Sequence, residues 1–376
     1  MMSTLTIAAA HGADDGTTQT LTQVQLGADG RREIFVKADA RLIIDDIVIG
    51  PQRDTTLAIY GAGGSGAGAV DVSVKSIRSE HGPGAYNPHL AIQLRNVTIG
   101  TLNVQGGNER DTRISIGFDN ASSASRILLH NMATHTLDLN VRQGPTSNRG
   151  PSPATAPPPS TAAESRTSGM PPSSGIPGEV RLRDITFKSL ALNGHNDKGG
   201  ATPVSLDINA VALSGPAENP KVRLANLQIL DGKLKFQPKA TYLQATSLAD
   251  RCQDIGGRIS IELQNSSVGE KEGPTEFLPA ALPGSLNVYI ARNLCSEITA
   301  TNFQVYGDID IVSEDVIGLL RLDRLTSDAQ RANDFGLRAE ALLQIMVRSA
   351  SLSNVEMSMS HQVEVDPGLG RRAQRT

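Results

Sequence analysis

Residues 180–194 read VRLRDITFKSLALNG, and the spacing of their apolar residues decides the fold. The apolar positions form pairs two residues apart, and a step of three separates each pair from the next: Val180 and Leu182, Ile185 and Phe187, Leu190 and Leu192. Residues two apart face the same side of a β-strand. The chain must bend at each step of three so that the next pair can face the same core. Short strands bent repeatedly around one core are typical of a β-solenoid.

The same spacing recurs along the chain. Residues 92–104 match it step for step, and further copies lie at 222–234 and 345–357, with partial copies at 42–49 and 298–305. A helix could explain single steps of three. The Val, Ile and Thr content of these segments, and the glycines that follow several of them, favour strands instead.

The bend between two apolar pairs often carries Asn or Asp. This occurs in LRNV, LHNM, LRDI, LANL, ATNF and LSNV, which contain Asn96, Asn131, Asp184, Asn226, Asn302 and Asn354. Among residues other than glycine, Asn and Asp best tolerate a left-handed backbone conformation. The pattern resembles that of right-handed parallel β-helix proteins, whose coils often place Asn at one corner. This resemblance implies parallel coils; an open, curved antiparallel sheet built from the same strands is the alternative.

The composition changes abruptly at 144–178, where nine of the twenty prolines lie among many Ser, Thr and Ala residues. Such a segment has little to bury and is expected to be a disordered linker. The sequence therefore predicts a mainly β protein with two β-solenoid-like lobes, at 31–143 and 179–366. A disordered segment at 1–30 precedes them and a basic tail at 367–376 follows them. Two helices are also predicted, at 241–252 and 337–346.

Charge and targeting signals exclude several classes of function. The net charge of −4 argues against nucleic-acid binding, and no apolar run is long enough for a transmembrane helix. The segment before Arg31 lacks the basic and apolar regions of a signal peptide. We therefore expect a cytoplasmic protein, or one exported without a cleavable signal peptide. Cys252 and Cys295 are too few for a disulfide framework and are expected to be two separate thiols, with a disulfide as the alternative if the fold brings them together.

The strongest candidate for chemistry is YGDIDIVSED, in which Asp308 and Asp310 project from the same face of a strand. Paired carboxylates can perform acid–base catalysis on glycans. The simpler interpretation is that the neighbouring isoleucines face the core and both aspartates face water.

Other motifs give little support for a cofactor or metal. Residues 61–66 fit G-x-G-x-x-G, but a strand-like segment follows where a dinucleotide site needs a helix. His130 and His135 lack the cysteine or histidine spacing of a zinc site. No G-x-S-x-G motif occurs, although a triad assembled in space would leave no such signature.

These observations favour a non-enzymatic structural or interaction protein that presents β-solenoid surfaces to a protein partner. A leaderless exported bacterial effector and a scaffold both fit this description. One alternative is a glycan-active β-helix hydrolase or lyase that uses Asp308 and Asp310. A second alternative is a lipid-binding protein with an apolar groove.

Overall fold

The computed structural model describes residues 18–26, 30–50, 54–62, 69–80, 88–118, 123–142, 178–195, 201–213, 219–239, 252, 258–269, 284–291, 295–327, 334–349 and 354–360. These residues form β-strands almost throughout. The strands are β1 Thr18–Leu21, β2 Val24–Leu26, β3 Arg31–Lys37, β4 Arg41–Ile44, β5 Ile47–Ile49, β6 Asp54–Ala62, β7 Val70–Val74, β8 Ile77–Ser79, β9 His89–Arg95, β10 Thr98–Gln105, β11 Asn108–Phe118, β12 Ser123–Arg142, β13 Gly178–Phe187, β14 Ser189–His195, β15 Thr202–Leu213, β16 Lys221–Ala225, β17 Leu227–Lys239, β18 Arg258–Gln264, β19 Ser267–Val268, β20 Ser285–Ile290, β21 Cys295–Val305, β22 Asp308–Ser313, β23 Val316–Ser327, β24 Asp334–Ala339, β25 Ala341–Leu342, β26 Ile345–Arg348 and β27 Asn354–Met359.

Two long parallel ladders organise these strands. Ladder A runs β1, β4, β7, β10, the first half of β12, β13, β15, β17, β20, β22, β24 and β27. Ladder B runs β3, β6, β9, β11, the second half of β12, β14, β16, β18, β21, β23 and β26. The chain alternates between the ladders, so each pass adds one coil. At the usual strand spacing, ladder A is about 50 Å long.

The core consists of apolar columns that run through successive coils. In β15 every second residue is buried, from Thr202 to Ala212, and neighbouring strands keep this alternation in register. One hydrophobic cluster extends from Val24 to Ala339. The parallel, mainly β solenoid-like fold predicted from the sequence is confirmed, and the antiparallel alternative is wrong.

Left-handed corner residues link the strands as the sequence predicts. Positive φ angles occur at Asn96, Asn131, Asp184, Asn226 and Asn302, with values of 50–57°. The side chains of some corners also bond between coils. Asn226 Nδ2 donates to Asn193 Oδ1 at 2.7 Å, and Asn302 Nδ2 donates to Asn265 Oδ1 at 2.9 Å. The predicted corner at Asn354 is not tested, because Asn354 begins β27 and the residues directly before it lie outside the described part of the chain.

The two predicted lobes are neighbouring parts of one stack. Strand β12 pairs with both β13 and β14, so the parallel ladders continue across the predicted linker. The linker lies outside the described residues, except for Gly178 at the start of β13. The change in composition at 144–178 correctly marks the segment between β12 and β13. It carries no information on the pairing of these two strands, which depends on contacts that composition does not encode.

The N-terminal boundary is also corrected. The prediction of disorder over 1–30 is wrong for β1 and β2, which pair in parallel with β4 and β5. The polar character of this segment masked a short alternating pattern that ends in Val24 and Leu26, both buried. The predicted basic tail at 367–376 lies outside the described residues.

The predicted helix at 337–346 is wrong. This segment contributes to β24, β25 and β26, which pair with β22 and β23 in the parallel ladders. Its helix-forming residues are overruled by the stacking of its apolar positions on the coil below. The predicted helix at 241–252 lies outside the described residues except for Cys252. Within the part of the chain that the structure describes, no helix is long and apolar enough to cross a membrane.

Cys252 and Cys295 form a disulfide, so the prediction of two separate thiols is wrong. Their Cα atoms lie 5.1 Å apart although 43 residues separate them in sequence. Both cysteines are buried in a small cluster with Val316 and Ala341. A Cβ atom added to Gly318 would lie 2.5 Å from Cys295 Sγ, so the glycine leaves room for the bridge. Sequence spacing could not reveal this pairing, because stacking of β21 on its neighbours positions Cys295.

Candidate functional site

Asp308 and Asp310 lie on the outer side of β22, between core residues Ile309 and Ile311. Arg338 of β24 donates from Nη2 to Asp310 Oδ2 at 2.6 Å. Gly336 is in register with Asp310, and a Cβ atom there would lie 2.9 Å from Asp310 Oδ1. The absence of a side chain at position 336 therefore leaves space for the ion pair, which is the arrangement of a surface strand contact.

Similar ion pairs run along the outer side of ladder A. Arg126 and Arg181 bind Glu179 at 2.8 Å and 2.7 Å, and Arg183 binds Asp207 on the next strand. The pairs of Arg126 with Glu179 and of Arg183 with Asp207 join adjacent strands, whereas Arg181 and Glu179 both lie on β13. Exposed pairs of this kind contribute about 0–1 kcal/mol each. These ion pairs keep the outer face polar and place opposite charges next to each other.

The two histidines considered for metal binding make separate contacts. His130 Nε2 lies 2.8 Å from Asn103 Oδ1, and His135 Nδ1 lies 3.1 Å from Thr136 Oγ1. Among the described residues, no group of three or more His, Cys, Asp and Glu side chains could hold a metal ion. Of the glycine motif at 61–66, the structure describes only Gly61 and Ala62, which belong to β6.

A polar cluster that the sequence did not predict lies on the outer side of ladder B. His89 Nε2 lies 2.8 Å from Ser115 Oγ, and His89 Nδ1 lies 3.4 Å from Asp54 Oδ1. Asp138 is in register with Ser115 on the next strand. Burial raises the pKa of Asp138 above its ordinary value, while the charges of His89 and Arg113 lower it. The ladder register brings these residues together across four strands.

The order of Asp54, His89 and Ser115 is that of a serine hydrolase triad, but its surroundings are those of a sheet surface. The side chain of Asp54 is 84% exposed, so it orients the imidazole only weakly. Acyl transfer also needs donors aimed at a developing oxyanion. Residues on both sides of Ser115 are in register with β9 and β12, and parallel pairing uses their backbone amides. The geometry therefore fits a hydrogen-bonded surface cluster.

An aromatic stack occupies the same outer face closer to the first coil. The rings of Phe35 and Tyr60 lie 5.0 Å apart with an interplanar angle of 16°, and the Arg95 guanidinium lies 5.7 Å from the Tyr60 centroid. The Tyr60 hydroxyl accepts a hydrogen bond from Arg31 and donates one to Glu33. The hydrogen bond from Arg31 to Tyr60, followed by the Glu33 charge, raises the pKa of Arg31. These side-chain contacts therefore join residues of three adjacent strands, β3, β6 and β9.

The surface at the last coil differs from every other part of the described stack. Ile345 and Val347 of β26 are 46% and 55% exposed, yet they are in register with buried Leu320 and Leu322 of β23. They continue the core columns of ladder B by one further strand. No described strand covers them.

The last strand of ladder A repeats this arrangement. Val355 and Met357 of β27 are 44% and 41% exposed, and they are in register with buried Phe335 and Leu337 of β24. Among the described strands, β26 pairs only with β23 and β27 only with β24. We call the surface formed by β26 and β27 the C-terminal end. It combines exposed core columns with two strand edges.

The described core residues of the first coil form no such apolar surface. Val24, Leu26, Ile34 and Val36, which are core residues of β2 and β3, are all buried. Apart from Phe35 on the outer side of β3, the large apolar side chains exposed among the described residues belong to β26 and β27. The two ends of the stack are therefore chemically different.

Comparisons with protein-family models, with curated proteins and with solved structures give no match for this chain. The function is therefore inferred from the geometry of the described residues.

Proposed function

We propose that the protein is a non-enzymatic structural or interaction protein and that the C-terminal end is its binding surface. The observation that carries this proposal is the exposure of four side chains that continue buried core columns. Elsewhere in the stack the same columns are covered by the next coil. A partner that adds a strand to this end would complete the core as another coil does.

The energetics favour such a contact. Burying a Val, Leu, Ile or Met side chain contributes about 1.5–3 kcal/mol. The edges of β26 and β27 can also pair with an added strand, and backbone hydrogen bonds then add to the affinity. An end that offers both contributions supports binding to another β-rich surface.

The alternatives have weaker support. Asp310 is paired with Arg338, so an acid–base role with Asp308 would require that ion pair to open. An apolar groove for lipid would require exposed apolar side chains along the stack, whereas the described ones are concentrated at one end. Both observations favour an interaction role over the glycan-active and lipid-binding alternatives.

We further propose that the chain matures in an oxidising compartment after export. Disulfides persist mainly in such compartments. The Cys252–Cys295 bridge is buried, with Gly318 packed against both sulfur atoms, and this favours a structural role. Of the two locations expected from the sequence, export without a cleavable signal peptide is compatible with this proposal, whereas a cytoplasmic location is not.

Amide hydrogen exchange on the full chain tests the binding-surface proposal. If the C-terminal end is open, the amides of β26 and β27 in the chain diluted to its monomeric state should exchange much faster than those of interior strands such as β21. A photo-crosslinker at Met346 should then react with a discrete partner in the source cells, and Val347→Lys should abolish that product. Slow exchange at β26 and β27 in the isolated monomer would show that the chain covers its own end, and would refute the proposal.

A further inference from the structure

We propose that the partner of the C-terminal end is a second copy of this chain, joined end to end about a two-fold axis. This inference rests on the proposed function and names its partner. The chemistry required of a partner is two strand edges beside exposed apolar columns. The C-terminal end of a second copy supplies this chemistry, since it carries the same four side chains on β26 and β27.

The difference between the two ends of the stack selects a closed pair rather than a filament. Head-to-tail stacking would require the first coil to present a complementary apolar surface, but its core residues Leu26, Ile34 and Val36 are already buried. Contacts between identical surfaces close after two copies, whereas head-to-tail contacts continue without limit. The burial pattern therefore favours a dimer.

Charge also selects the relative orientation of the two copies. On the outer side of β26 lies Arg348, and on the outer side of β27 lies Glu356. Placing each strand against its own counterpart would bring like charges together. Placing β26 of each copy against β27 of the other brings opposite charges together twice. We infer the second arrangement, because like charges on adjacent strands are destabilising.

Sedimentation velocity on the full chain across the micromolar range tests this inference. We expect a reversible species with twice the chain mass of 39.7 kDa. Val347→Lys should weaken the dimer about a hundredfold, because each buried valine contributes about tenfold and a two-fold interface contains it twice. Phe35→Lys is the matched control: it replaces an apolar side chain that is 42% exposed but lies away from this end, and should leave the dimer unchanged.

A charge exchange tests the orientation. Arg348→Glu and Glu356→Arg should each weaken the dimer, and the chain that carries both changes should recover it. Recovery would not occur if each strand faced its own counterpart, because like charges would remain opposed. A dimer that resists Val347→Lys, or species that grow beyond two copies, would overturn the inference.

Amide exchange on the same samples separates failure of this inference from failure of the proposed function. A monomer whose β26 and β27 amides exchange quickly would overturn the second copy as partner and leave the end available to another protein. A monomer whose β26 and β27 amides are protected would overturn both, because the end would then be covered by its own chain.

Discussion

Removing the Cys252–Cys295 disulfide should cost a large part of the stability of the central coils. The bridge closes a loop of 43 residues that contains β18, β19 and β20. In the chain-entropy description, closing a loop of that length removes enough freedom from the unfolded chain to stabilise the folded state by about 4 kcal/mol at room temperature. We therefore expect the free energy of unfolding to be about 4 kcal/mol lower when the bridge is absent.

The assay compares guanidinium unfolding of the native chain, the native chain with a phosphine reductant, and the variant with Cys252→Ala and Cys295→Ala. Reduction and substitution should lower the unfolding midpoint by similar amounts. The reductant should not affect the double variant, which serves as the control. Amide exchange should place the loss in β18, β19 and β20, since these strands lie within the closed loop.

Two results would refute this reasoning. The denatured, unreduced chain should contain no free thiol; detection of two would show that the bridge does not form. A midpoint that stays constant after reduction has been verified by mass would show that loop closure contributes nothing here. Free thiols, unlike a constant midpoint, would also remove the physical support for maturation in an oxidising compartment.

Three further predictions concern single residues. Arg324 has a φ of 55°, a left-handed conformation that costs L-residues roughly 1–2 kcal/mol but that Asn tolerates. Arg324→Asn should therefore raise the free energy of unfolding in urea by about 1 kcal/mol. Asn226→Ala should lower it by a similar amount, because Asn226 has the same conformation. Burial raises the pKa of Asp138 in the folded state, so stability falls as the pH rises from the unfolded pKa of about 3.9 through the raised folded pKa. Asp138→Asn should therefore raise the melting temperature at neutral pH, and this gain should vanish below about pH 3.9. A fluorophosphonate probe should not label Ser115, since the described backbone amides around it are used in strand pairing and are not aimed at an oxyanion; labelling that Ser115→Ala abolishes would contradict the surface-cluster interpretation.

The sequence predicted the corner residues well where the residue type itself favours the corner. Asn226 and Asn302 have left-handed conformations, and Asn and Asp are the residue types that adopt them most readily. The corners at Arg324 and Ser349 were not predicted. They follow Asn302 in the same column, because the residues before them are in register through β21, β23 and β26. At these positions the coil below imposes the backbone conformation, and the residue type carries no signal.

Side-chain clusters on the outer faces were out of reach for a different reason. Asp54, His89 and Ser115 are 35 and 26 residues apart, and the lengths of the intervening loops differ from coil to coil. Two polar residues become neighbours only after the register of each strand pair is known. The sequence could place Asp308 and Asp310 on one face because both lie on a single strand. It could not show that Arg338, two residues beyond Gly336, reaches Asp310.

The C-terminal end shows most clearly what the pattern of apolar residues can and cannot establish. Ile345 and Val347 have the same two-residue spacing as Leu320 and Leu322, so the sequence assigns both pairs to the core. Burial, however, depends on whether a neighbour covers each strand, and in the described stack β23 is covered by β26 while β26 is not covered. A residue pattern that specifies the interior of a solenoid therefore leaves an apolar surface where no described strand covers the coil. An end of this kind needs a cap or a partner, and the binding that we propose at the C-terminal end would use the same columns that hold the fold together.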